Sequence, residues 1–195
     1  SRDLLAPDDQ LAFDVLGVFE GPFSAASASA VLQSPAEIDT FEVLRRLVTA
    51  SLVQMVAGDV SRYRMLESTR MYARVHLDES DRWQGAIDRH DEHYRIRCRE
   101  LRGAFFGSGR PEACRGIEAE MADYEGAFDR FLVHDRDAAL EMAWALGHVW
   151  LFSGNLGAGI GGFERLVVAT TGSASPARAD ALAAGSFLLM FVTRY

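Results

Sequence analysis

Apolar side chains recur at helical spacing along most of this chain, and the spacing drops to that of a strand in one short stretch. Behind Pro7, Asp8 and Asp9 open a helix whose apolar face is Leu11, Val15 and Leu16. Ala and Ser dominate residues 24–32, which predicts a second helix that packs closely on its neighbours. A third helix follows Asp39, with Phe41, Leu44, Leu47 and Val48 at core spacing and Arg45 and Arg46 on the opposite face. Residues 51–56 then form a β-prone run, residues 57–60 carry turn chemistry, and residues 63–66 return as a strand, a hairpin pattern. From Glu67 the period lengthens again: Met71 and Val75 lie four apart, while Arg70 and Arg74 share another face.

Three helices, a hairpin and a helix are the order of a winged-helix domain, here expected over residues 1–80. Residues 78–81 make a charged, polar break and the expected domain boundary, and residues 81–195 read as wholly helical. Residues 82–102 carry Trp83, Ile87, Tyr94 and Leu101 in a heavily charged helix, residues 103–111 form a glycine-bearing loop, and a single helix over 112–133 aligns Ile117, Met121, Tyr124, Phe128, Phe131 and Leu132. Leu146, Gly147, Trp150, Gly154, Gly159 and Phe163 then match the small and large positions of a tetratricopeptide-like helix pair. Gly185 lies 38 residues after Gly147 and starts a second copy, slightly longer than the usual period of about 34. The expected fold is mainly α: a winged-helix domain followed by antiparallel helical hairpins of TPR-like type, the last copy stopping after its first helix. That leaves an apolar face near Leu188, Leu189 and Phe191, through which a homodimer is expected.

With 195 residues, 49% of them hydrophobic, the chain can bury a substantial core. All 20 basic residues are Arg and none is Lys, a sign of GC-rich coding. Residues 1–80 carry 12 acidic and 7 basic groups and residues 81–195 carry 16 and 13, so neither half has the basic footprint of a nucleic-acid-binding domain. Cys98 and Cys114 are the only cysteines, which excludes a multi-bridge framework and favours a reduced, cytoplasmic setting. No signal peptide or membrane-spanning apolar run is present, and the missing initiator Met and apolar C-terminus suggest a piece of a longer polypeptide.

Candidate chemistry is sparse. A phosphate-binding loop of the form GxxxxGK[ST] requires a Lys, so nucleotide hydrolysis is not expected in this chain, nor is any enzymatic activity. The glycine run over 154–162 lacks the preceding strand of a dinucleotide fold and reads as helix packing. His90 and His93 lie three apart, a spacing able to face one metal, but no third ligand is evident and a solvated helix face packed with Tyr94 is the plainer reading. His76, His134 and His148 have no partner pattern, and no Gly-x-Ser-x-Gly elbow occurs. Arg45 and Arg46 on the third helix and Arg62 and Arg64 on the wing stand where a DNA reader places its contacts, but Glu37, Asp39, Glu42 and Asp59 surround them.

The segment RYRMLESTRMYA, residues 62–73, resembles the RYRLLETLREYA segment of bacterial signal-transduction ATPases with numerous domains, the STAND class, especially regulators of the LuxR and antibiotic-regulator types. Residues 4–10 and 16–23 are similar to that family's LLSPEEQ and LSVFAGGF, and residues 117–128 to LEAEHDNLRAAL. The resemblance implies a winged helix that packs on an upstream nucleotide-binding domain, where ATP or ADP with Mg would bind, and repeats that take an unknown protein or small-molecule signal. No cofactor is then expected in this chain itself. An effector elsewhere, of cyclase-like or LuxR DNA-binding type, would act, so DNA is reached only through another domain. In plant and animal relatives a Met-His-Asp triplet at the last winged helix senses ADP through its His. Here the matching residues are Met65, Leu66 and Glu67: Leu66 has no such contact, and Glu67 keeps the carboxylate, either as a nucleotide-state latch or as a cap for its helix. A DNA-binding module and a plain interaction scaffold are the alternative functions.

Overall fold

A computed structural model describes residues 2–32, 39–58, 60–105, 107–172 and 174–192, the side chains of residues 191 and 192 excepted. Two compact units divide the chain, residues 1–93 and residues 94–195.

The first unit is a winged helix. Helix α1, Pro7–Leu16, starts on Pro7, whose fixed φ suits a first turn, and buries Ala12, Phe13, Val15 and Leu16. Helix α2, Ala25–Leu32, buries Ser27, Ala28 and Val31. Helix α3, Thr40–Thr49, is capped by Asp39, whose carboxylate accepts the Phe41 N–H at 2.9 Å. Its buried face is Val43, Leu44 and Leu47, and Phe41, expected in the core, is 66% exposed. The hairpin is β2, Gln54–Val56, with β3, Arg62–Arg64, and Tyr63 stands opposite Met55. A further strand, β1 (Phe23–Ser24), pairs with the other edge of β3, giving an antiparallel order β1-β3-β2. Two residues are too few to show alternation, so β1 left no pattern in the sequence. Helix α4, Glu67–Glu79, closes the unit, with Ala73 and Leu77 buried. At Gly17 a Cβ would stand 2.9 Å from Ala73 Cβ, so this glycine lets the end of α1 meet α4. Ser80 ends α4, and Asp81 takes a left-handed φ of 57°.

Helix α5, Trp83–Ala104, gives its first half to this unit and the rest to the second. In the second unit the helix expected over 112–133 is two: α6, Arg110–Glu118, and α7, Met121–His134. Between them Glu120 leaves helical geometry (φ −119°, ψ 24°) and turns a buried carboxylate inward to accept the Tyr94 hydroxyl at 2.8 Å. A continuous helix would have left that hydroxyl to find another buried partner.

Helices α8, Arg136–Ser153, α9, Leu156–Ala169, and α10, Pro176–Val192, are the repeat region. Gly154, at φ 76°, ends α8 in the left-handed conformation that glycine adopts without strain. Of the glycines at repeat spacing, Gly147 and Gly185 meet a ring, Gly159 meets Leu188 and the Trp150 Cβ, and a Cβ on Gly154 would have nothing within 4 Å; Gly162, outside that spacing, also meets a ring. A Cβ on Gly147 would lie 2.9 Å from the Phe163 ring, one on Gly185 2.7 Å from the same ring, and one on Gly162 2.7 Å from Trp150. Phe163 thus sits against the glycine of α8 and the equivalent glycine of α10. Leu188, expected on an open face, is 1% exposed and lies against Gly159; Leu189, expected there too, is exposed together with Phe187 and Met190, and Phe191 lies outside the described side chains. No helix among the described residues is long and apolar enough to cross a membrane.

Candidate functional site

β3 ends at Arg64, Met65 and Leu66 form the link, and α4 starts at Glu67. Leu66 holds the N-cap position with extended backbone (φ −66°, ψ 149°) and no side-chain cap, and it is half exposed. Glu67 therefore lies inside the first turn, where negative charge suits the helix dipole, and does not cap the helix. Its carboxylate pairs with Arg70.

The faces of α4 are reversed relative to the expectation from its apolar residues. Met71 and Val75 are 49% and 52% exposed, whereas the side chains of Arg70 and Arg74 are only 15% and 22% exposed. The chain leaving α1 brings several carbonyls here with no helical partner, a demand that apolar side chains cannot meet. Arg74 Nε donates to the Gly17 carbonyl at 2.8 Å and its Nη2 to that of Val18 at 3.4 Å. Arg70 donates to the carbonyls of Phe19 and Glu20, and both guanidiniums face the Glu20 carboxylate, at 3.5 Å and 3.1 Å. Two arginine stems cover apolar surface while their heads bind α4 to residues 17–20. Two arginines four apart on one helix face were the available signal for this clamp.

Beside it opens a cleft of about 220 Å³, lined among others by Phe19, Pro22, Arg64, Met65, Glu67 and Arg70. Met65 and Glu67 face the cleft, and Arg64 brings a solvent-exposed guanidinium to it.

The four arginines of the DNA reading have different surroundings. Arg45, on the exposed face of α3, hydrogen-bonds Glu42 at 3.0 Å, which holds that carboxyl below its ordinary range. Arg46 is turned to α1 and binds Asp9 through two hydrogen bonds of 2.8 and 2.7 Å. Asp9 is 4% exposed, so Arg46 is committed to balancing a buried charge. Arg62 stands opposite Ser24 and Val56 in the sheet, and Arg64 opposite Gln54. Of the surrounding acids, Glu37 and Asp59 lie outside the described residues.

His90 and His93 are not on a solvated face. His90 is fully buried, its Nδ1 lies 2.9 Å from Asp91 Oδ1, and its ring meets Phe19 edge-on at 5.5 Å. His93 Nε2 lies 3.2 Å from the Ser27 hydroxyl. The charge of residues 88–93 concealed this, because Ala86, Ile87, His90 and Asp91 form the buried strip together. Among the described residues no group of three or more His, Cys, Asp or Glu side chains is placed to hold a metal ion.

Over 79 residues the chain is 40% identical to Regulatory protein AfsR of Streptomyces coelicolor. Part of this chain is similar to a bacterial regulator. The match takes in 40% of this chain and only 8% of that protein. No family model matches the chain, and no solved structure matches it.

Proposed function

We propose that this chain is a non-catalytic regulatory segment of a multidomain STAND-type transcriptional regulator. In this reading the winged helix packs on an upstream nucleotide-binding domain, the TPR-like hairpins receive a protein or small-molecule signal, and the chain acts in the cytoplasm. The observation that carries the reading is the junction of residues 62–73. The stretch with the family's pattern is also where Arg70 and Arg74 clamp α4 to residues 17–20, a second stretch with that pattern. The similarity to a regulatory protein supports it.

In this reading the clamp gives the junction a fixed mount. Met65, Leu66 and Glu67 project from a mount held by several charge-assisted hydrogen bonds, so a nucleotide-binding domain resting on them would meet a rigid surface. Leu66, half exposed, offers an apolar contact, and Glu67 and Arg64 offer charges beside the cleft. ATP or ADP with Mg would belong to the upstream domain.

The test is ADP release from a polypeptide that includes the upstream region. Leu66→Asp should speed release severalfold by placing charge in an apolar contact, while leaving the helicity of the 195-residue chain intact. Unchanged release would sink the proposed packing. The alternative of DNA binding predicts salt-dependent duplex affinity that falls on replacing Arg45, Arg62 and Arg64.

A further inference from the structure

Several arginines of the second unit answer a carboxylate. Arg95 and Arg99 share Glu141, Arg102 takes Asp180, and Arg165 takes Asp129. Arg110 and Arg115, like Arg136 and Arg178, have no ion pair among the described residues, although acidic groups outnumber basic ones 28 to 20 in the chain. Both line one cleft of about 250 Å³ between α6 and the end of α8, together with Pro111, Cys114, Val149 and Phe152. Arg110 lies over the rings of Phe105 and Phe152, 5.6 and 5.3 Å from their centroids. Stacking uses the face of a guanidinium and leaves its N–H edge for an anion. Phe152 is 57% exposed, so the cleft presents an apolar wall beside two free cations. Glu118 is the one carboxylate in the lining, which leaves an excess of one positive charge.

We propose that this cleft binds a small carboxylate carrying a flat apolar group, the carboxylate meeting Arg110 and Arg115 and the apolar group lying on Phe152 and Val149. The volume fits a body of roughly ten to fifteen heavy atoms, at the small end of ligand sites. Two guanidiniums around one carboxylate supply the strong, charge-assisted class of hydrogen bond. Its role as the signal of the repeat region rests on the regulatory reading above; its occupancy does not.

Cys114 reports on the cleft from inside it. The thiol is part-buried and lines the site, while Cys98 is fully buried. Burial raises both thiols above the ordinary value, Cys98 far more, and Arg110 partly offsets the effect at Cys114. Iodoacetamide at pH about 8.5 should therefore modify Cys114 and leave Cys98 as an internal control. The probe is 3-phenylpropionate, against its neutral counterpart 3-phenylpropanamide, on the 195-residue chain. The acid should slow alkylation of Cys114 with an apparent affinity about tenfold better than the amide, the scale of one charged hydrogen bond. Arg115→Gln should erase that preference, and Glu118→Gln should strengthen protection by the acid. Equal protection by acid and amide would reduce the site to an apolar crevice and overturn the proposal, as would no protection, or protection unchanged in Arg115→Gln with helicity preserved. Failure of the regulatory reading shows separately, as protection of Cys114 with no effect of the acid on nucleotide release from the longer polypeptide.

Discussion

Gly161 and Gly162 are neighbours in the middle of α9, and alanine at the two positions should change stability in opposite directions. Alanine in a helix interior gains about 0.5–1 kcal/mol over glycine from backbone entropy. At residue 161 the new Cβ would lie 3.6 Å from Arg165 Nη1, an ordinary contact with a movable side chain, so the gain is kept. At residue 162 it would lie 2.7 Å from Trp150 Cη2 and 3.2 Å from Cζ3. That ring cannot step aside: it is 1% exposed, its Nε1–H donates to Glu125 at 2.9 Å, and Phe128 and Phe163 meet it at 6.2 Å between centroids. Overpacking of a filled core costs about 1–3 kcal/mol, so Gly162→Ala should lose about 0.5–2 kcal/mol net. For a unit of this size each kcal/mol moves Tm by about 4–8 °C. Urea and thermal melts followed by circular dichroism and tryptophan fluorescence give both values. In a double-mutant cycle, Trp150→Phe should relieve part of the cost at residue 162 and leave residue 161 unaffected. A Gly162→Ala protein as stable as Gly161→Ala would refute the argument that the Trp150 ring requires a glycine at residue 162.

Arg74→Ala should destabilise the first unit by about 1–3 kcal/mol, because the Gly17 carbonyl loses its side-chain donor and Glu20 a partner; a denaturant midpoint within experimental scatter of the parent would contradict the clamp. Arg46→Met should cost about 2–4 kcal/mol by leaving buried Asp9 unpaired, and adding Asp9→Asn should recover much of it; the recovery is read from the same urea melts. The His148 pKa lies below 6.5 in the folded chain, burial being the largest cause and Arg102 adding to it, while the hydrogen bond to the Trp144 carbonyl opposes the shift. The unfolded chain then binds more protons between the folded and unfolded pKa values, so stability is fully present above about pH 6.5 and declines as pH falls below it. His148→Gln should flatten that decline in urea melts taken from pH about 7.5 down to pH about 5, and an unchanged slope would exclude His148 as its source.

The helices that read clearly in the sequence are those whose buried face is apolar and continuous. Helix α8 is one, and Gly147 and Gly185 were legible as contacts because repeat spacing ties them to Phe163, whereas that spacing did not single out Gly162. What escaped was polar in its cause. Arg70 and Arg74 pack inward because carbonyls of residues 17–20 need donors, and no hydropathy pattern carries that demand. Glu120 interrupts the stretch expected as one helix because Tyr94, 26 residues earlier, donates to it. His90 and Asp91 read as solvated because both are polar, yet they satisfy each other within the core. At the junction, residues 65–67 were singled out by family resemblance alone, and the cleft beside them left no trace in the sequence, since its far wall comes from Phe19, Glu20 and Pro22.

We propose above that this chain is a regulatory segment whose nucleotide belongs to another domain. Isothermal titration of the 195-residue chain with ATP and with ADP, each with Mg²⁺, tests it most directly. No binding at millimolar nucleotide is the predicted result, alongside clear ADP binding by a polypeptide that extends upstream. Micromolar affinity of either nucleotide for this chain alone would place the nucleotide site within these 195 residues and overturn the proposal.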